Sequence, residues 1–227
     1  MISVIAKPGA VNLRSFHIGV DLGQRRDYTA VVVLEQRIEN TGVTDRITFE
    51  QIWRRRLIVR KAARLKLGTE FHRIVDTVVN LSMHPALDGR VVTTAIDATG
   101  MGLVVTEQLQ KQRPRGELYP VVITGGLEMK YRAGFFPTPR TDILLGVVQA
   151  FEVDRLEVAG EVKGWEMLVE ELRSIRKTPG VAGPRFESEG QHDDMVFALG
   201  LALVGYRQRV MPVDGKAVRR IAGKGDF

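Results

Sequence analysis

Between residues 14 and 22 the apolar side chains Phe16, Ile18 and Val20 fall on alternate positions, the period of a half-buried strand. Gly23 to Asp27 reads as a turn, and the β-branched, apolar run over 28–36 predicts a second strand close behind. Asn40, Thr41 and Gly42 predict another turn, followed by a third strand over 46–58. Three strands joined by short connections predict an antiparallel meander.

From residue 69 the period changes. Thr69 reads as an N-cap, and Phe71, Ile74, Val75, Val78, Val79 and Leu81 recur at helical spacing, so a helix is predicted over 69–83. Short strands follow at 91–97 and 118–123, with a helix over 102–112 between them and a Gly-rich connection after the second. A helix over 139–152, a short strand over 155–159 and an amphipathic helix over 163–175 come next. In the last of these, Trp165, Leu168, Val169 and Leu172 are placed inward. A Gly/Pro-rich loop spans 178–190 with a short strand at 185–187, and a strongly apolar helix covers 191–207. The expected fold class is α/β: an antiparallel three-strand meander joined to parallel strands in one mixed central sheet, flanked by helices. Residues 1–13 read as an N-terminal extension, 14–207 as one domain and 208–227 as a basic tail.

Composition narrows the chemistry. The chain has 227 residues, 44% of them hydrophobic, enough for one elaborated domain with a real core. It has no cysteine, which excludes disulfides, thiolate zinc sites and cysteine nucleophiles. No signal peptide is read at the start, and Met195–Tyr206 is too short an apolar stretch to span a bilayer, so a cytoplasmic protein without a membrane partner is expected. A formal net charge of +6 suits a polyanion. The cations cluster: Arg54, Arg55, Arg56, Arg60, Lys61 and Arg64 stand in one acid-free run and read as DNA contacts, and the tail adds more.

The candidate chemistry is carboxylate chemistry. Asp21 ends the first strand and Asp97 ends the central one, each just before a Gly-containing turn, so neighbouring parallel strands would bring the two acids together. His192, Asp193 and Asp194 open the last helix. Clustered carboxylates repel, and Mg²⁺ or Mn²⁺ relieves that repulsion while favouring oxygen ligands. Asp21, Asp97, Asp193 and Asp194 are therefore the candidate catalytic and metal-binding set for two ions, with Asp194 the firmer of the tandem pair. The helix dipole offers a competing account, in which one of the pair caps the helix. His192 is expected to orient a carboxylate or touch phosphate. Asp27 reads as a turn acid pairing with Arg25 or Arg26, and Asp142 as a capping acid. Gly100 and Gly102 permit the turn after Asp97, and backbone N–H groups at Thr99, Gly100 and Gly102 offer a phosphate cradle. No GxxxxGK[ST] or GxGxxG motif occurs, so no ATP site is expected.

The pieces HIGVDLGQRRDYTAVVVL, TTAIDATGMGLVVTEQL, YPVVITGG, FFPTPRTDILLGVVQAF with RLEV, LVEELRSI and EGQHDDMVFALGLAL follow one another from about Phe16 to Tyr206. Their order resembles the nuclease domain of the large terminase subunit of tailed phages. The resemblance implies a ribonuclease H/integrase-like fold that cuts double-stranded DNA during genome packaging in a bacterial host. It also implies that Asp21, Asp97 and the Asp193/Asp194 pair hold the metals. Family members often carry a lysine where Arg140 stands. The chain has no packaging motor of its own, so a separate packaging ATPase or portal is the implied partner. Alternatives are a Holliday-junction resolvase-like nuclease, a non-catalytic DNA-binding subunit, and a sugar-kinase or actin-like nucleotide binder suggested by DLG after the first strand.

Overall fold

The computed structural model describes residues 11–23, 27–125, 134–153, 156–178, 185–188 and 192–209. The 208–227 tail beyond residue 209, most of the 1–13 extension, Arg25, Arg26, Arg155 and the Gly-rich connection beyond Gly125 lie outside them.

The described strands are β1 (Val11–Asp21), β2 (Ala30–Thr44), β3 (Gln51–Arg64), β4 (Val91–Asp97), β5 (Glu117–Thr124), β6 (Phe136–Pro139), β7 (Leu156–Val158), β8 (Ile175–Thr178) and β9 (Arg185–Ser188). The helices are α1 (Phe71–Ser82), α2 (Gly102–Gln112), α3 (Arg140–Glu152), α4 (Trp165–Ser174) and α5 (Asp194–Gln208). One seven-stranded sheet has the order β6-β5-β4-β1-β2-β3-β7, and β8 and β9 form a separate antiparallel pair. In the large sheet β2 alone opposes the rest, through antiparallel pairing with β1 and β3, while β4, β5, β6 and β7 run parallel to their neighbours. The meander and the mixed sheet are thus as expected.

Alternation along β1 divides the core. Phe16, Ile18 and Val20 pack with Val31 and Val33 beneath α1 and α2. Ser15, His17, Gly19 and Asp21 face the other way, toward α5. That helix is buried from Asp194 to Tyr206, because the sheet lies on one side of it and α3 and α4 on the other. Gly19 permits the contact: a Cβ there would stand 1.8 Å from the Ala198 carbonyl oxygen. On the opposite side of α5, Gly200 admits Ile143 of α3.

Several local expectations are corrected. The Asn40-Thr41-Gly42 signal is an irregularity inside β2, where Gly42 N donates to Asn40 Oδ1 at 2.7 Å. The actual turn is at 45–50, where the Asp45 carboxylate accepts from Ile47 N and Thr48 N, both at 2.8 Å. β2 runs on to Thr44, past its predicted end at 36, because its polar positions pair across to β3, Arg37 opposite Arg56 and Glu39 opposite Arg54; β3 is displaced along the chain, from the predicted 46–58 to 51–64. Thr69 does not cap α1: the cap position is Glu70, and Thr69 Oγ1 donates to the Lys66 carbonyl at 2.5 Å. Trp165 is half-exposed and only Leu168 of its expected set is fully buried. β6 and β8 lay unpredicted within segments read as connection, helix and loop.

Candidate active site at the strand ends

β1 and β4 are parallel neighbours, and Val20 is paired with Ile96, so Asp21 and Asp97 leave the sheet side by side on the α5 face. α5 begins above them with Asp193 and Asp194. Asp21 is therefore where the charges of the other three predicted acids are felt together, though among the described residues no three of the acids stand close enough to cage an ion. The electrostatics record it: burial pushes the Asp21 carboxyl well above its ordinary value, and the charges of Asp97, Asp194 and Asp193 push it further, against Arg140. Burial also raises Asp97, opposed by hydrogen bonds from Thr99, whose N–H donates to Asp97 Oδ1 at 2.8 Å. Asp194 is raised chiefly by burial, with Arg64 and His192 opposing.

Each member has a local cause. Gly100 takes a φ of +57°, a left-handed conformation that glycine adopts without penalty. Gly102 brings α2 against the end of β4, where a Cβ would meet the Asp97 carbonyl oxygen at 2.2 Å. The proposed cradle of N–H groups is mostly committed, Thr99 N to Asp97 and Gly102 N to the Thr99 carbonyl at 3.0 Å. Arg140 opens α3 directly after β6; its Nη2 lies 2.5 Å from Asp193 Oδ2, and its guanidinium stacks 4.0 Å from the Phe197 ring centroid. His192 Nδ1 stands 3.8 Å from Asp194 Oδ2 and its ring meets Tyr28 edge-on at 5.4 Å.

A side-chain cap from the aspartate pair is not made, although Asp194 stands in the first turn of α5, where the helix dipole favours an acid. Asp193 occupies the cap position without a side-chain capping bond. The cap comes from another helix: Glu171 Oε2 of α4 accepts Met195 N–H at 2.9 Å and Val196 N–H at 3.0 Å. Asp142 likewise sits in the first turn of α3, which has no side-chain cap. Glu171 is the residue that sequence reasoning missed, since it lies in an unremarkable amphipathic helix. Its only sequence signal is an acid next to a face of inward apolar residues.

The basic run on β3 is largely spent on acids. Arg54 and Arg56 pair with Glu39, Arg56 also with Glu157, and Arg60 with Glu35 and Glu161. Arg55 turns to the opposite face and donates to the Tyr206 hydroxyl at 2.7 Å. Arg64 reaches the acid site itself, bonding Glu171 and facing Asp194. The structure therefore splits this run into a charged lattice, a core contact and a site residue; Lys61 is exposed, with no ion pair among the described residues.

The donor set suits a hard divalent cation. It offers several carboxylates in mutual repulsion and one buried oxygen, Asp194 Oδ2, with no hydrogen bond. Among the described residues no three acids or histidines stand together as a ready-made cage; Arg140 bonds Asp193, and Thr99 N–H donates to Asp97.

The family model described as the terminase RNaseH-like domain matches residues 18–205. The chain belongs to this family. No curated protein sequence matches it. Among solved structures, this terminase domain is similar to the large terminase nuclease of thermophilic phage G20c, with a TM-score of 0.50 and 19% identity over 88% of this chain and 86% of that one. It is also similar to the large terminase nuclease domain of bacteriophage SPP1 with bound Mn, with a TM-score of 0.46 and 13% identity over 86% of each chain. The bacteriophage HK97 large terminase gives 0.36 and 12% identity, with 87% of this chain matching 40% of that one. The terminase domain thus has the ribonuclease H-like fold expected of it, and its family match includes Asp21, Asp97, Asp193 and Asp194. No described helix is long and apolar enough to cross a membrane.

Proposed function

We propose that this terminase domain is a metal-dependent endonuclease that cuts double-stranded DNA in phage genome packaging, within the cytoplasm of the host. The observation that carries the reading is the meeting of Asp21 and Asp97, at adjacent parallel strand ends, with the Asp193/Asp194 pair at the start of α5. Asp21, Asp97 and Asp194 would hold Mg²⁺ or Mn²⁺, with Asp193 completing the set. Such ions supply Lewis-acid activation of water and of the scissile phosphate, commonly as a pair.

The chain's own residues do the rest. Asp21, half-buried at the end of β1, fixes the floor of the site. α5, clamped on both sides, sets the direction of Asp194. Arg140 lies at the site's edge on Asp193; its guanidinium would turn to a phosphate oxygen as Asp193 is drawn toward metal. His192 backs Asp194 rather than reaching Asp21, which fits an orienting role. The translocating ATPase that packaging demands would be supplied outside this domain, which carries no phosphate-binding loop.

The reading is tested by incubating plasmid with the protein and Mn²⁺ or Mg²⁺. Cutting is expected, together with its loss in EDTA and in Asp97→Asn. Absence of cutting, or cutting that survives both, rejects the proposal.

A further inference from the structure

Arg64 and Asp194 form a loose ion pair with no hydrogen bond between them. Arg64 Nε stands 3.5 Å from Asp194 Oδ2, beyond hydrogen-bond range, and both atoms are buried with no hydrogen-bond partner. Two buried opposite charges at this range ordinarily close into a bonded pair, because an unmade buried bond is expensive. Something holds Arg64 back. Its Nη2 is bonded to Glu171 Oε1, and its guanidinium lies 5.2 Å from the centroid of the Tyr28 ring. Glu171 is in turn fixed by the two N–H groups at the start of α5. One carboxylate thus caps the helix that carries Asp194 and anchors the arginine that would otherwise neutralise Asp194.

We propose that Glu171 is a positioning residue of the metal site: it holds Arg64 off Asp194 and so keeps that carboxylate open to a divalent cation. This rests on the nuclease reading above. Glu171 acts through Arg64. Without its negative charge, Arg64 is free to swing onto Asp194 and compete with the cation. Glutamine is the informative replacement, because its amide oxygen still accepts the two N–H groups of α5 while losing the charge that anchors Arg64.

The test is a Mn²⁺ titration of the wild type, Glu171→Gln, Arg64→Gln and the double variant. Bound Mn²⁺ is read directly by electron paramagnetic resonance, and plasmid cutting in parallel. Glu171→Gln is expected to raise the half-saturating Mn²⁺ concentration about tenfold, the usual scale for residues that orient metal ligands. Adding Arg64→Gln is expected to return it toward the wild-type value, because the competitor is gone. An unchanged half-saturation in Glu171→Gln, or no recovery in the double variant, overturns the inference and leaves a cap alone. Should Glu171→Gln fail to fold by circular dichroism, Arg64→Gln decides: binding at least as tight as wild type supports the inference and weaker binding overturns it. A wild type that neither binds Mn²⁺ nor cuts sinks the nuclease reading as well; one that does both, with unresponsive variants, sinks only this one.

Discussion

Asp21 is held where an ionised carboxylate is least comfortable: half-buried at its strand end and facing the charges of three other acids. Its replacement should separate function from stability. Asp21→Asn is expected to abolish plasmid cutting while raising the melting temperature of the metal-free protein, as read by circular dichroism. The same residue predicts a pH dependence. Its folded pKa lies above the unfolded value, so the folded state holds the proton more tightly and Asp21 becomes less destabilising as pH falls. The melting advantage of Asp21→Asn should therefore be largest at neutral pH, shrink as pH falls through the raised folded pKa, and vanish below an ordinary carboxylate pKa of about 3.9. Comparing two variants also cancels His17, which burial lowers to about 3 and which works in the opposite direction, favouring unfolding as acid protonates the unfolded chain. At this scale the acids were legible in sequence because strand ends and a helix start are where polar groups escape the core. Glu171 was not, because its role depends on α4 crossing the start of α5, a tertiary fact with no local pattern.

Among the elements, α5 decides whether the site exists. It approaches the sheet so closely at Gly19 that an added methyl would meet backbone atoms, the Ala198 oxygen at 1.8 Å and the Ala202 nitrogen at 2.4 Å. Backbone cannot step aside as a side chain does. Gly19→Ala should cost about 3 kcal/mol in urea unfolding and reduce cutting, since the helix must lift and carry Asp194 with it. Gly200→Ala meets the Ile143 Cγ2 methyl at 2.2 Å, on a β-branched side chain that is stiff in a helix, so α3 must shift; about 1–3 kcal/mol is expected, with cutting retained because the sheet side of α5 is untouched. The sequence announced α5 by its unbroken apolar run and the meander by its alternation. It ended β2 at 36, because the next stretch carries Arg37, Glu39 and a turn-like Asn40-Thr41-Gly42 and so imitates a loop, and it placed β3 five residues too early. It missed β6 and β8, four residues each, too short for any period to register.

At the scale of the molecule, the surplus of positive charge is less available than its sum suggests. The outer face of β2 and β3 is a lattice in which Glu35, 1% exposed, is held by Arg37 and Arg60. Arg60→Gln should therefore destabilise the domain by about 1–3 kcal/mol, the cost of leaving a buried acceptor short of a partner. Fluorescence anisotropy should show DNA affinity and its salt slope little changed; a large drop would return this face to the DNA interface. The order of the acids along the chain has a further consequence. Asp21 and Asp97 belong to strands made early, whereas Asp194 arrives on a helix that packs against β1 across most of the sequence. Long-range closures of this kind come late in folding. On the ribosome, the emerging domain would hold an incomplete set of ligands until α5 is released and docks. Synthesis itself would then delay assembly of the proposed cutting site, sparing nearby nucleic acid from a half-made nuclease.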